Sequence, residues 1–163
     1  MKKTLIILTA FVMFVFQTSL GELIDIFGIV PNLILIFVIA YSLDTTAFVA
    51  SLVGCVCGIM IDFSDNGILG LGAIVMMYVA LGANVVSKKF YYDNKFVGLI
   101  IVFISGLIFE SSRFFIMNLL YSGTQTPLIF FRYIFPEAVY NSVLSVPIMW
   151  WVNYLKNEYI RGI

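Results

Sequence analysis

The sequence predicts an all-α integral membrane protein, a single bundle of six transmembrane helices. Three observations carry that prediction. First, 62% of the 163 residues are hydrophobic and 11% are charged, against roughly 45–50% and about 25% in soluble domains. Second, apolar stretches recur along the whole chain and are parted by short polar links. Third, Lys and Arg collect in alternate links, which demands an even number of crossings.

The first segment, 4–20, follows Met1-Lys2-Lys3. A basic start before an apolar run is also the layout of a signal peptide. No Ala-x-Ala pattern follows, however, and further apolar segments do, which favours a retained span. The second segment, 31–43, opens at Pro31, a residue suited to a helix start. Its length is about 20 Å at 1.5 Å per residue, short of a hydrocarbon core of roughly 30 Å. Asp44-Thr45-Thr46 then turns into the third segment, 46–61, about 24 Å long by the same arithmetic. The fourth, 68–86, ends at Ser87-Lys88-Lys89. The fifth, 96–120, contains Glu110 and Arg113. The sixth, 130–155, holds Pro136 and Pro147, which predicts an interfacial stretch followed by one kinked span.

Six crossings with both termini cytoplasmic place Lys2, Lys3, Lys88, Lys89, Lys95, Lys156 and Arg161 inside, seven of the nine basic residues. Only Arg113 and Arg132 remain, and both lie within segments. Four crossings with 31–61 as a re-entrant hairpin have the same parity.

Two groups of residues stand out. Glu110 and Arg113 are three apart and share a helix face. Glu137, Tyr140 and Asn141 follow i, i+3, i+4, with Arg132 beyond Pro136. Under the six-span topology all of these fall in the outer half of the bundle. Ionisable groups at such depth face a bundle interior or a wet cavity. One reading is an outward polar cavity or partner notch; the other is a set of internal pairs that hold helices together. The second group is the corner Gly54, Gly58, Asp62, Asp65, Gly67, Gly70 and Gly72. Glycines one helical turn apart permit close backbone approach, within one chain or between two. Asp62 stands where the apolar run ends, a place for a carboxylate to cap the next helix. Trp150, Trp151, Tyr154 and Tyr159 form an interfacial belt beside Lys156.

Several classes of chemistry are excluded. With no His and two Cys, neither a Ser-His-Asp device nor a zinc site is expected. Cys55 and Cys57 lie two apart in an apolar run and read as packing residues. Gly-x-Ser-x-Gly, His-Glu-x-x-His and phosphate-cradling loops are absent from the sequence. Formal net charge is zero and the basic residues are scattered, so nucleic acid is not an expected partner. No catalytic residue, cofactor or metal ligand is assigned.

The stretch Pro31-Asn32-Leu33, the run Gly58-Ile-Met-Ile-Asp62 with Gly67 and Leu69-Gly70-Leu71-Gly72, Glu110, and Tyr140-Asn141 before Pro147 together resemble the pattern of the MreD family, rod shape-determining proteins. The resemblance covers nearly the whole chain. It implies a non-catalytic membrane scaffold in the bacterial plasma membrane, part of the elongation complex that controls cell shape and peptidoglycan synthesis. Implied partners are membrane lipid and an MreC-like bitopic protein. Through the latter they extend to RodA, a penicillin-binding transpeptidase and the MreB filament. The implied fold is similar to the substrate-binding component of energy-coupling-factor transporters. The rival function is therefore a transporter component holding a vitamin-sized ligand. A small membrane enzyme is a third class, marked by activity lost when Asp62 or Glu110 is neutralised.

Overall fold

Nine of the ten residues of α2 (Leu33–Ser42) are buried, and the other helices are arranged around it. Its composition explains this: Leu-Ile-Leu-Ile-Phe-Val-Ile-Ala-Tyr is apolar on every face, so every side seeks a packing partner. The computed structural model describes residues 3–20, 25, 28–64, 68–90, 95–120, 128 and 130–161. Around α2 lie α1 (Lys3–Leu20), α3 (Ala47–Ser64), α4 (Leu71–Lys89), α5 (Lys95–Leu120) and α6 (Phe135–Arg161). A π-helical turn, Phe130–Ile134, precedes α6.

The outer helices follow the order α1, α3, α4, α5, α6, each packed on its neighbour and on α2. Among the described residues α1 packs on α2 and α3 but on neither α5 nor α6, so the ring is open on that side. The core runs through Phe37, Phe109, Ile61, Met76 and Val152, all buried around α2.

The outer surface is apolar. Phe48 and Phe96, for example, are 76% and 72% exposed. Such a surface is a liability in water and suits hydrocarbon. By length and composition Ala47–Ser64, Leu71–Lys89 and Phe96–Leu120 are long and apolar enough to cross a membrane, whereas α2 and Ile7–Ser19 are shorter apolar helices. The chain is a membrane protein of helical architecture.

Helix ends depart from the sequence reading for local reasons. Pro31 lies outside α2, because Asn32 is the N-cap and its Oδ1 accepts from the N–H of Leu35 at 2.9 Å. Gly70 is in the left-handed conformation, φ 96°, and holds the start of α4 back to Leu71. Pro147 lies inside α6 without ending it. The start of the sixth segment, 130–134, is the π-helical turn rather than part of α6.

Candidate functional site

A helix of ten residues rises about 15 Å, half of a hydrocarbon core of roughly 30 Å. The central axis beyond the N-terminus of α2 is therefore left to other groups. There the structure has a cavity of about 560 Å³. Its walls come from the end of α1 (Phe14, Gln17, Thr18), the approach to α2 (Val30, Asn32, Ile34) and the end of α3 (Ile61, Ser64). Glu110 and Arg113 of α5 and Glu137 of α6 complete it. All lie at the end of the bundle opposite Lys88 and Lys89, as alternating helix directions require.

The buried first turn of α2 exposes N–H groups that no intrahelical carbonyl can satisfy. Three side chains on three segments meet that need. Asn141 Oδ1 of α6 accepts from the Asn32 N–H at 2.8 Å, and Gln17 Oε1 of α1 accepts from the Ile34 N–H at 3.1 Å. Asn32 itself caps Leu35 and donates from Nδ2 toward Glu110 Oε1 at 3.5 Å. The helix start is thus a polar collar tying α1, α2, α5 and α6 together. Carboxylates near this helix N-terminus also complement its partial positive charge.

Glu110, Arg113 and Glu137 are each half-buried and each engaged with a partner. The Arg113 guanidinium lies over the buried Phe109 ring, 5.5 Å from its centroid. Glu137 stands in the first turn of α6, where a carboxylate is favoured. The opposite end of α2 is satisfied in a parallel way. Asn84 Nδ2 donates to the carbonyls of Ser42 (2.6 Å) and Thr45 (2.8 Å), and Ser87 Oγ donates to that of Leu43 (3.1 Å).

The glycine-aspartate corner joins α3 to α4. Asp62, buried at the end of α3, accepts three backbone N–H groups: Gly70 at 2.9 Å, Gly72 at 2.9 Å and Ala73 at 3.2 Å. One carboxylate therefore caps the first turn of α4 from a neighbouring helix. A Cβ on Gly72 would collide with Asp62 Oδ1. One on Gly58 would meet the Gly72 carbonyl oxygen and Ala73 Cα at 2.5 Å, and one on Gly54 would meet the Met76 carbonyl oxygen at 2.7 Å. Both glycines face α4 of the same chain. Gly67 and Asp65 lie outside the described residues.

Of the residues grouped in the sequence, the cavity brings together Glu110, Arg113 and Glu137, with Asn141 just behind Asn32. Tyr140 is half-buried and engaged, but is not part of the cavity wall. Arg132 stands apart on the π-helical turn, exposed, 5.6 Å from the Tyr133 ring centroid. Gln17, Thr18 and Ser64 were missed by the sequence grouping, and Asn84 with them. The available signal was a lone amide or hydroxyl in an apolar run, which must find a partner. Among the described residues no three of His, Cys, Asp or Glu converge to hold a metal.

No curated protein and no solved structure matches the chain. The family model described as rod shape-determining protein MreD matches residues 1–158. With a match over nearly its whole length, the chain belongs to the MreD family of shape-determining membrane proteins, and its role lies in rod shape determination.

Proposed function

We propose that this protein is a non-catalytic scaffold of the bacterial elongation complex, a multi-pass protein of the plasma membrane with cytoplasmic termini. It binds an MreC-like bitopic partner. Through that partner it reaches RodA, a penicillin-binding transpeptidase and the MreB filament, and so bears on peptidoglycan synthesis. The observation that carries this reading is the family match over residues 1–158. The polar groups support it, since among the described residues their bonds go largely to backbone at helix ends, as a framework requires. The arrangement of lysines supports the orientation: Lys88 and Lys89 lie at the end away from the cavity.

Depletion of the protein from a rod-shaped host tests this reading. Cells should round while nutrient uptake is unchanged. The cavity favours a second reading, a fold and role similar to the substrate-binding component of energy-coupling-factor transporters. That reading predicts persisting rods, a lost vitamin uptake and an ATPase-bearing partner module.

A further inference from the structure

While α4 packs on α3 at Gly54 and Gly58, a groove of about 420 Å³ lies on its other side, between α4 and α5. Tyr78, Gly82 and Val86 line it from α4, at i, i+4 and i+8, and Ile101, Ser105 and Ser112 from α5. On α4 the lining runs from Ile74 to Val86, about 18 Å or some three turns of helix. Gly82 leaves that wall bare, since a Cβ there would meet nothing within 4 Å. The serines of the groove contrast with those elsewhere. Ser42 donates to the Val38 carbonyl, Ser142 to that of Ala138 and Ser145 to that of Ser142, each satisfied within its own helix. Ser105 and Ser112 make no hydrogen bond among the described residues. Ser105 is only 5% exposed. A buried hydroxyl without a partner, lining an apolar groove at membrane depth, is a stranded polar group.

Whatever satisfies these serines must carry hydrogen-bonding groups into the membrane interior. An acyl chain has none. A second copy related by a two-fold axis would set groove against groove and fill neither. A single helix laid along the groove has the required convex shape. Small residues on both walls, Gly82, Ala83 and Ser105, let its backbone come close. We propose that the α4–α5 groove seats one transmembrane helix of a single-pass partner, which crosses over Gly82 and hydrogen-bonds to Ser105 and Ser112. The proposal rests on the scaffold reading, in which that partner is the MreC-like bitopic protein, and assigns the face it occupies. The chemistry of the partner's face follows: small residues for close approach, with a Ser, Thr, Asn or Gln to meet the two hydroxyls.

The test uses the full chain, co-expressed with the MreC-like bitopic protein of its own host. A photoreactive benzophenone side chain is placed at Tyr78 in the groove or, for comparison, at Phe48 on the exposed face of α3. The Tyr78 position should cross-link to the partner's transmembrane segment and the Phe48 position should not. Gly82→Leu, which fills the groove, should lower recovery of the partner about tenfold while thermal unfolding of the purified chain is unchanged. Ser105→Ala should lower it about threefold, the weight of one interhelical hydrogen bond. Equal cross-linking from both positions overturns the proposal without recourse to either variant. So does a Tyr78 position that captures only lipid or a second copy of the chain, or full recovery with Gly82→Leu. Co-purification of the wild-type pair without a groove cross-link overturns the docking face alone. Failure of the wild-type pair to co-purify overturns the scaffold reading along with it.

Discussion

Asp62 shows how much one side chain can hold in place. A carboxylate receiving three N–H groups near the head of a helix combines charge-assisted bonds with a favourable dipole. Asp62→Ala should cost roughly 3 kcal/mol or more, given about 1.5–3 kcal/mol per hydrogen bond to a charged group. Asp62→Asn should recover part of it, since the amide keeps one acceptor oxygen. Thermal unfolding of the purified variants checks both. Equal melting of wild type and Asp62→Ala would show that the corner does not depend on this cap. At the head of α2, Asn141→Leu strips the Asn32 N–H of its acceptor and should cost about 1–3 kcal/mol, an unsatisfied buried donor. The sequence made Asp62 legible because a carboxylate at the end of an apolar run has few uses. It made Asn141 legible only as a member of a face. That Asn141 serves a backbone N–H on a helix more than a hundred positions away is fixed by packing, which no local pattern carries. Arg132 was grouped with the other polar residues because the six-span topology puts all of them in the outer half of the bundle. The π-helical turn turns it outward, and π-helical geometry leaves little trace in composition.

At the scale of elements, the α3–α4 pair and α2 define the architecture. Close approach of α3 and α4 depends on Gly54 and Gly58, where a methyl group would strike backbone. Gly58→Ala should therefore destabilise by about 1–3 kcal/mol, as overpacking does. Gly82→Ala on exposed α4 surface, where a Cβ meets nothing within 4 Å, should be neutral or stabilising by up to about 1 kcal/mol. Denaturation of the pair side by side measures the contrast, and equal effects would contradict the packing account. The small-residue spacing was visible in the sequence, but the partner it served was not, because i, i+4 glycines suit contacts within or between chains equally. Segment 31–43 was legible as too short to span. That its missing length becomes a polar cavity depended on four surrounding helices, α1, α3, α5 and α6, and Gln17 on α1 gave no periodic sign of its part.

For the molecule as a whole, charge and hydropathy set most of what was legible: an all-helical chain with helices apolar enough to cross a membrane. The orientation is testable. In a variant lacking Cys55 and Cys57, Leu69→Cys at the cavity end should react with an impermeant thiol reagent on intact cells. Phe90→Cys at the Lys88–Lys89 end should react only after the cells are opened; the reverse pattern would invert the topology. The assembly itself is a property no single chain displays, and it rests on the family to which the chain belongs. Extraction of the protein from native membranes, with identification of what co-purifies, measures that claim most directly. The account predicts recovery of an MreC-like bitopic protein together with cell-wall synthesis enzymes. Recovery of an ATPase module and its coupling subunit in their place would contradict it.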